Sequence, residues 1–446
     1  MIDYSPTQNS IFTDSRKDFD DASIFVALIG EHHDASKFVL DLINKGLKHA
    51  VVTDTEKNRE LLNNQDKCQI SFVPDTNQFI KDCGIKKLDY WKSLNTRNKI
   101  LAMTGSNGKT TTKEMLTCLM KAYPGKSHTT KGNFNNHLGV PFTILDMPLD
   151  TEVLILEMGT NHPGEIANLC EMGKPDAGFI TNIGQSHLEF FHNEDNVFVE
   201  KSELYHSIAK KPDGLFIVNT DDSRLATLFE KPKTLAIGND SKNDIFYEKT
   251  NDGFNLTIKN KTHSFTCPKI PEAHNRYNMA MSVALCLSLW PNLNFEQAVL
   301  NYEPPKNNRS LILKKDDLTI YLDAYNANPS SMSVSIDGFT DYVKEVLKIN
   351  FSDTWFILGD MNELGENAPR YHFEIGKKLK DMGVTNAFFI GRHALDYKNG
   401  FEGGETFVDR GEFIEIYGQT GGGWMCQAAF IKGSRTLQLE ELVDIT

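Results

Sequence analysis

Cysteine is scarce in this chain of 446 residues, and its seven cysteines form no motif. They have neither C-x-x-C pairs nor partnering histidines. An odd, dispersed set of this kind is typical of reduced thiols, and it excludes a zinc finger and a disulfide framework. The seven are Cys68, Cys83, Cys118, Cys170, Cys267, Cys286 and Cys426.

Long apolar runs, a leader segment and an excess of basic residues are also lacking. No run approaches the roughly 20 apolar residues that a membrane-spanning helix needs. Residues 1–16 are polar and contain no basic stretch followed by an apolar one, so we expect no signal peptide. The 47 basic residues against 60 acidic ones leave a net charge of −13, which argues against nucleic acid and anionic membranes as partners. These absences predict a cytoplasmic protein with no nucleic-acid partner and no membrane insertion.

The composition is that of a globular protein, with 40% hydrophobic and 24% charged residues. A chain of this length exceeds one compact core, so two or three domains are expected. The polar stretches 92–99 and 301–308 are candidate linkers. We therefore expect an N-terminal unit over residues 1–95, a central unit over 96–305 and a C-terminal unit over 306–446.

The most informative segment reads I-L-A-M-T-G-S-N-G-K-T-T-T over residues 100–112. Its apolar start predicts a buried strand, and the residues that follow predict a helix. Gly105 and Gly108 allow the backbone to turn so that its N–H groups face an anion. Lys109 adds a positive charge, and the Thr110 hydroxyl suits the Mg²⁺ that accompanies ATP. The segment predicts a phosphate site at a helix N-terminus.

The spacing of this loop differs from a standard Walker A loop, which has four residues between its glycines. Here only Ser106 and Asn107 lie between Gly105 and Gly108. An ordinary strand-to-helix turn with an exposed lysine is the alternative interpretation. The strand before the loop and the helix after it favour the phosphate site.

Short apolar runs alternate with helical patterns along most of the chain, which predicts an α/β fold. A helix is expected at 36–45, a β-hairpin at 244–268 and a longer helix at Ala273–Leu289. The last third predicts a Rossmann-like unit, and without a G-x-G-x-x-G fingerprint we assign it no dinucleotide. Strands are expected at 23–30, 49–53, 153–158, 179–183, 215–219, 234–237, 318–323, 355–358, 387–390 and 428–431.

Two candidate metal ligands follow predicted strands that could neighbour the strand before the phosphate loop. Glu157 ends one of these strands, and His187 lies just beyond another. Ligands of open α/β sheets gather at the carboxyl ends of the strands, so this pair could hold Mg²⁺ beside Thr110. Taken singly, Glu157 could be a surface acid and His187 could cap a turn. Together with the loop they favour metal binding.

An asparagine-rich segment at 131–141 is a candidate site wall. Asn133, Asn135 and Asn136 carry amides that both donate and accept, which suits a substrate rich in carbonyls and hydroxyls. A loop that only holds its own backbone is an equally good interpretation.

Three other polar segments have weaker signals. The H-N-R-Y-N segment at 274–278 could contact a base, or Asn275 could simply be a helix N-cap. The D-A-Y-N-A-N-P turn at 323–329 follows a predicted strand, which makes it a candidate wall. The K-G-S-R turn at 432–435 follows another and has two positive charges suited to a carboxylate or phosphate.

Seven motifs along the chain are more specific together than singly. Taken as a set they resemble the Mur ligases of peptidoglycan synthesis, and the resemblance extends from Asp14 to Arg435. The motifs are T-G-S-N-G-K-T-T-T-K-E-M at 104–115, G-N-F-N-N-H-L-G-V-P at 132–141, L-E-M-G at 156–159, H-N-R-Y-N at 274–278, D-A-Y-N-A-N-P-S-S-M at 323–332, L-G-D-M-N-E-L-G at 358–365 and K-G-S-R at 432–435.

This resemblance implies a three-domain architecture with a central P-loop ATPase sheet and a C-terminal Rossmann-like domain. It implies ATP-driven amide formation through an acyl phosphate, with two Mg²⁺ ions, in the synthesis of cell-wall precursors. The N-F-N-N-H and Y-N-A-N-P segments point to the member that joins D-Ala-D-Ala to UDP-N-acetylmuramoyl-tripeptide. We expect a cytoplasmic monomer that supports cell shape and cell division.

The resemblance also implies roles for individual residues. Catalysis would involve Lys109, His187, Lys201 and Asp323. The metals would be held by Thr110, Glu157, His187 and Lys201. ATP would be bound by Gly105, Ser106, Asn107, Gly108, Lys109, Thr110, Thr111, Asn275, Asn278 and Arg309. The other substrates would be bound by Asp14, Ser15, Arg16, Asn133, Asn135, Asn136, Tyr325, Asn326 and Asn328.

Lys201 matches the lysine that is carbamylated in the family. Addition of CO₂ turns its cationic amine into an anion that can bridge to a second Mg²⁺. From the sequence alone, a solvated lysine on a helix is the favoured interpretation.

Two other functions stay open. One is another ligase of the superfamily, similar to MurE or to folylpolyglutamate synthase, although the sequence has no MurE-like D-N-P-R motif. The other is a nucleotide-binding regulator without catalysis. The presence of Lys109, Thr110, Glu157, His187 and Lys201 together counts against a regulator, because a regulator needs no two-metal set.

Overall fold

The strands form three sheets, and each sheet is built from one stretch of the chain. The computed structural model describes residues 2–30, 33–63, 65–229, 231–305, 309–418 and 424–445. Part of the second candidate linker, 306–308, therefore lies outside the described residues. Within the described ranges, no helix combines the length and the apolar character that crossing a bilayer requires.

The first sheet has four parallel strands in chain order. The strand at 49–53 is confirmed, whereas the one expected at 23–30 ends at Val26. The helix expected at 36–45 begins with a 3-10 turn, Ala35–Phe38. The strands are β1 (Ser10–Phe12), β2 (Ser23–Val26), β3 (His49–Thr53) and β4 (Gln69–Val73), and the helices are α1 (Val39–Asn44), α2 (Glu56–Leu61) and α3 (Thr76–Leu94).

Helix α3 connects the first sheet to the central one. The linker predicted at 92–99 is wrong in its first three residues, because α3 continues to Leu94. The exposed side of α3 is polar, and this composition resembles that of a linker. On the buried side, Trp91 Nε1 donates to the Thr151 carbonyl oxygen at 2.7 Å and Lys87 Nζ donates to that of Leu145 at 2.5 Å. Helix α3 therefore packs on the central unit.

The central sheet has nine strands in the order β13-β12-β11-β10-β9-β8-β5-β7-β6. It is parallel from β6 to β11, and β11 to β13 pair antiparallel, which confirms the expected hairpin region. The strands are β5 (Lys99–Thr104), β6 (Ser127–Thr129), β7 (Val153–Glu157), β8 (Ala177–Ile180), β9 (Leu215–Asn219), β10 (Thr234–Gly238), β11 (Ile245–Lys249), β12 (Gly253–Ile258) and β13 (Lys261–Thr266).

Helices cover both faces of the central sheet. The core on one face contains Met115 and Val283, and the core on the other contains Ile144, Ile166 and Leu204. Apolar residues on both sides explain why these strands read as uninterrupted apolar runs. The helices are α4 (Lys109–Leu119), α5 (Gly139–Asp146), α6 (Glu165–Gly173), α7 (Leu188–Phe191), α8 (Glu194–Ala209), α9 (Ala273–Leu289) and α10 (Glu296–Leu300).

The third sheet has the order β14-β15-β19-β16-β17-β18, and it is parallel except for the β14–β15 pair. Its strands are β14 (Leu311–Lys315), β15 (Leu318–Asp323), β16 (Thr354–Gly359), β17 (Ala387–Ile390), β18 (Glu405–Phe407) and β19 (Ala428–Lys432). Its helices are α11 (Pro329–Asp341), α12 (Ala368–Asp381), α13 (Ala394–Phe401) and α14 (Arg410–Tyr417).

The third unit packs directly on the central one. Leu188 and Phe191 of α7 share a hydrophobic cluster with Leu358 and Met361 of the third unit. This contact brings the carboxyl end of β16 beside the segment that follows β8.

Candidate active site

A cavity of about 890 Å³ is lined by residues that follow strands of the central and third sheets. Most of the residues predicted for the site line it. These are Ser106, Asn107, Gly108, Lys109, Thr110, Thr111, Asn133, Asn135, Asn136, Glu157, His187, Asn275, Asn278, Arg309, Asp323, Tyr325 and Asn326.

The phosphate loop requires glycine at both predicted positions. A Cβ on Gly105 would lie 1.8 Å from the Thr181 hydroxyl oxygen, and one on Gly108 would lie 2.7 Å from Asn278 Nδ2. The loop leads from β5 into α4, whose first N–H groups have no partner within the helix and face the cavity. The arrangement suits an anion, as the sequence predicts.

Lys109 folds back over the loop. Its Nζ donates to the carbonyl oxygens of Gly105 at 2.8 Å and Ser106 at 3.4 Å. Burial lowers the pKa of Lys109 to about 8. Glu157 and Glu363 oppose this shift through their charges, and a phosphate in the cavity would add a counter-charge in direct contact with the ammonium group.

Glu157 presents an unpaired carboxylate oxygen. Strand β7 lies directly beside β5, so Glu157 ends beside the loop, and its Oε1 accepts from Thr110 at 3.1 Å and Asn135 at 2.7 Å. Its Oε2 is buried and has no hydrogen-bond partner among the described residues. A buried, unpaired anionic oxygen is costly unless a cation or donor binds there, so the site fits a divalent metal.

His187 also follows a strand that neighbours β5, namely β8. It is half-buried and adopts a left-handed conformation with φ of 53°. Its Nδ1 lies 2.5 Å from Oε2 of Glu363, a residue of the third unit. The residue itself lines the cavity.

Lys201 lies on α8 and has no exposed surface. Its Nζ finds no hydrogen-bond partner in the described part of the chain. Burial, and secondarily the charge of Lys109, lower the pKa of Lys201 well below its usual value. The solvated lysine favoured from the sequence is therefore wrong, because the helix buries this position.

The candidate metal residues do not form a conventional cluster. The described ranges contain no group of three or more His, Cys, Asp or Glu side chains arranged to hold a metal ion. Of the four predicted ligands only Glu157 and His187 belong to those types, and Thr110 and Lys201 would supply a hydroxyl and a modified amine.

The asparagine-rich segment divides between its two interpretations. Asn135 donates to Glu157, whereas Asn136 Oδ1 accepts from the backbone of Leu138 at 3.2 Å and Gly139 at 2.9 Å. Asn136 therefore holds its own loop. Asn133 lines the cavity.

Asn275 and Asn278 lie on one helix, α9, and both are buried at the cavity. The N-cap alternative for Asn275 is wrong, because Glu272 occupies that position. Asn278 places its amide against Gly108, so this helix end adjoins the phosphate loop.

The third unit supplies a charged wall. Asp323 ends β15, and its Oδ2 accepts from Lys432 Nζ at 2.5 Å and Ser335 Oγ at 2.7 Å. Charge and hydrogen bonds from Lys432 hold the pKa of Asp323 below its usual value, although burial opposes this. Arg309 stacks on the Tyr325 ring, with 3.9 Å between its guanidinium carbon and the ring centroid.

Asn328 contacts the phosphate loop directly. Its Nδ2 donates to Asn107 Oδ1 at 2.8 Å, and Asn107 Nδ2 donates to Ser330 Oγ at 2.9 Å. Asn328 also caps α11 through its Oδ1. The D-A-Y-N-A-N-P turn thus lies against the loop.

Two predicted anion sites are not free in this structure. In the K-G-S-R turn Lys432 pairs with Asp323, and Arg435 pairs with Glu440. The prediction that this turn offers two charges to a carboxylate or phosphate is wrong, because Asp323, 109 positions away, pairs with Lys432, and Glu440, five positions away, pairs with Arg435. At the N-terminus Arg16 pairs with Asp14 at 2.8 Å, and Asp14, Ser15 and Arg16 are not among the residues that line the cavity.

The comparison with known proteins agrees with this geometry. The family described as the Mur ligase middle domain matches residues 103–286. A UDP-N-acetylmuramoyl-tripeptide--D-alanyl-D-alanine ligase of Bacillus subtilis is 31% identical over 393 residues, covering 86% of this chain and 80% of the relative. The chain belongs to the MurF family of Mur ligases. It is a ligase.

Solved structures of the family share the fold. A MurF crystal structure from Acinetobacter baumannii aligns with a TM-score of 0.82 at 26% identity, covering 98% of this chain and 92% of that one. A MurF ligase from Thermotoga maritima, in complex with ADP, aligns with a TM-score of 0.82 at 22% identity, covering 99% and 98%. The chain has the α/β Mur ligase architecture that the family resemblance implies.

Sequence reasoning missed several residues that line the cavity. Among them, Asn219 ends β9, Asp221 and Asp222 follow it, and the Tyr277 hydroxyl of α9 donates to Asn219 Oδ1 at 3.0 Å. For Asn219, Asp221 and Asp222 the position at the end of a buried strand was the available signal, the same one that identified Glu157. Glu363 is a different case, because nothing local in the sequence connects it to His187.

Proposed function

We propose that this ligase joins D-alanyl-D-alanine to UDP-N-acetylmuramoyl-tripeptide, with ATP as the energy source. The names of its relatives suggest the substrates. The observation that carries the chemistry is the meeting of the phosphate loop and the Glu157 carboxylate at one cavity, with Lys201 buried near enough for the charge of Lys109 to act on it. The products are UDP-N-acetylmuramoyl-pentapeptide, ADP and phosphate.

The reaction has two steps. A carboxylate oxygen of the tripeptide attacks the γ-phosphorus of ATP, and ADP leaves with the electron pair of the broken bond. The D-Ala-D-Ala amine then attacks the acyl carbon, loses a proton, and expels phosphate. Both partners of the first step are anions, so neutralising their charge is the main task of the site.

Lys109 and the N-terminus of α4 meet the first part of that task. Their positive ends face the cavity where the β- and γ-phosphates would lie. The pKa of Lys109, lowered to about 8, rises again when an anion binds, so the side chain is a cation in the complex.

Mg²⁺ would supply the remaining positive charge as a Lewis acid. We assign it to Thr110, Glu157 and His187, with the orphaned Oε2 of Glu157 as the supporting observation. A second ion would be held by Lys201 as its carbamate. The lowered pKa of Lys201 supports this, because only the neutral amine can form a bond to the carbon of CO₂ and then release a proton.

We keep the remaining assignments as proposals. Asn275 and Asn278 approach the adenine, and Arg309 and Asp323 complete the ATP site from the third domain. D-Ala-D-Ala is bound by Tyr325, Asn326 and Asn328, the tripeptide by Asn133, Asn135 and Asn136, and the UDP-sugar by Asp14, Ser15 and Arg16. The three domains span 1–95, 96–305 and 306–446, and the enzyme acts as a cytoplasmic monomer.

Phosphate release tests this function. The purified chain is incubated with ATP, Mg²⁺ and the UDP-tripeptide, with and without D-Ala-D-Ala. Release that requires both, with the pentapeptide detected by mass, is the expected result. Release with another amine but not with D-Ala-D-Ala would overturn the substrate assignment, and no release with any pair would favour the regulator.

Lys201→Ala tests the carbamate. We expect turnover to be lost, together with a ¹³C NMR carbamate signal that the unmodified chain shows in ¹³C-labelled bicarbonate. Lys210→Ala, at an exposed lysine at the end of the same helix, is the matched control. A carbamate signal that survives in Lys201→Ala would refute the assignment.

A further inference from the structure

One side-chain contact connects the third unit to the candidate metal site. Glu363 Oε2 lies 2.5 Å from His187 Nδ1, and the two residues are 176 positions apart in the chain. The side chain of His187 is 13% exposed and that of Glu363 is 41% exposed. The contact therefore closes over His187 from the solvent side.

The loop that carries Glu363 is held on both sides of the contact. Within the third unit, the backbone N–H of Asn362 donates to Ser434 Oγ at 3.0 Å. Across the interface, the backbone N–H of Glu189 donates to the Glu363 carbonyl oxygen at 3.0 Å. Glu363 is thus positioned by backbone hydrogen bonds and not only by the contact of its own side chain with His187.

Both residues adopt unusual backbone conformations. His187 has φ of 53° and Glu363 has φ of 60°, in the left-handed region that non-glycine residues rarely occupy. Such conformations persist where the surrounding structure over-determines them, and they cluster at functional sites. Because both residues of one contact have such a conformation, the surrounding structure must hold this contact in place.

A carboxylate at Nδ1 determines what the rest of the imidazole can do. It accepts a hydrogen bond from Nδ1–H, which keeps the proton on Nδ1 and leaves the Nε2 lone pair free. Histidines that bind metals nearly always donate their other ring N–H to a carboxylate, carbonyl or water in this way. The pair has the chemistry of a metal-binding histidine and its orienting partner.

We propose that Glu363 is a positioning residue that orients His187 for Mg²⁺, so that this ligand is in place only when the third unit is docked on the central one. The inference rests on the proposed metal role of His187. It adds that docking of the third unit on the central one determines whether His187 is oriented to bind the metal.

Metal binding without peptide substrates tests the proposal. The full chain is titrated with Mn²⁺ in the presence of a non-hydrolysable ATP analogue, and binding is followed by electron paramagnetic resonance. We expect Glu363→Ala to weaken Mn²⁺ binding by about 10- to 100-fold, the usual cost of losing such an orienting partner. Glu363→Asn should do the same while tolerating the left-handed backbone.

Glu366→Ala is the matched control. It removes an exposed carboxylate three residues away, in the turn that follows the same loop. We expect its Mn²⁺ affinity to stay within twofold of the unmodified chain. Equal affinities in all four proteins would overturn the proposal.

A double-mutant cycle with His187→Ala separates positioning from direct ligation. If Glu363 acts through His187, the double variant binds Mn²⁺ no more weakly than His187→Ala. Additive losses would mean that Glu363 binds the metal itself, and would also overturn the proposal. Because no peptide substrate is present, a failure of the substrate assignment shows only in the phosphate-release assay.

Discussion

Lowering the pH should reduce the free energy of unfolding of this protein, because a buried histidine of the third unit must then be protonated. His372 has no exposed surface, its Nδ1 donates to the Ala368 carbonyl oxygen at 2.6 Å, and its Nε2 accepts from the Met361 backbone N–H at 2.9 Å. One ring nitrogen therefore donates and the other accepts, which is the arrangement of a neutral imidazole. A proton added at Nε2 would face the Met361 N–H and break that bond.

The size of this loss of stability follows from the pKa of His372. The pKa of His372 is lowered from 6.5 to about 4, mainly by burial and secondarily by the nearby His393, while the hydrogen bond to Ala368 and the charges of Asp360 and Asp396 oppose the shift. Because the unfolded chain binds the proton more tightly, stability is present above pH 6.5 and is lost as pH falls toward 4. The total loss is about 3.4 kcal/mol, of which about 2 kcal/mol is lost by pH 5.

Urea unfolding at pH 7.5, 6 and 5 measures this effect. Two of the four tryptophans, Trp355 and Trp424, lie in a core of the third unit, so a variant with Trp91 and Trp290 replaced by Phe reports the unfolding of that unit by fluorescence. His372→Gln removes the titrating ring, and we expect it to lose about 2 kcal/mol less than the unmodified chain between pH 7.5 and 5. His206→Gln, at an exposed histidine, is the control. Equal pH dependence in the unmodified chain and His372→Gln would refute the reasoning.

Three further substitutions test other parts of the structure. Gly105→Ala should abolish measurable ADP binding in calorimetry, because the new Cβ would lie 1.8 Å from the Thr181 hydroxyl oxygen. Lys432→Met should reduce the free energy of unfolding by about 3–5 kcal/mol, because it leaves Asp323 buried without its partner. Trp91→Ala should reduce it by about 3–5 kcal/mol, and the loss should appear in the unfolding of the central unit, on which α3 packs.

Each of these has a matched control. Gly383→Ala adds a Cβ at a left-handed glycine with no atom within 4 Å, so it should leave ADP binding unchanged. Lys380→Met breaks a partly exposed pair with Glu402 and should cost less than about 1 kcal/mol. Tyr90→Ala truncates an exposed neighbour of Trp91 and should also have a small effect. A control that costs as much as its test variant would contradict the corresponding argument.

Much of the fold could be predicted because its strands are short, apolar and buried on both faces. The strands at 49–53, 215–219, 318–323 and 387–390 have the predicted bounds. The linker at 92–99 was the main error, because a helix with one exposed side has the polar residues of a linker. Propensity alone does not reveal which side is buried.

The site, like the fold, was predicted correctly where the signal was local and wrongly where it depended on contacts made in the folded chain. Position after a buried strand predicted Glu157, and the same signal was available for Asn219 and Asp222. The free charges expected in the K-G-S-R turn were an error, since Asp323 pairs with Lys432 from a distant part of the chain and Glu440 pairs with Arg435 from five positions away.

The sequence by itself determined the local features. These are the glycine loop before α4, the short apolar runs that form the strands, and membership of the ligase family. These depend on neighbours within a few positions, where spacing and residue type carry the physics. Only the tertiary structure decided that Lys201 is buried with no hydrogen-bond partner among the described residues, and that Glu363 contacts His187 across 176 positions. Burial, pKa and pairing depend on groups that the fold brings together from distant positions, and no local pattern records them.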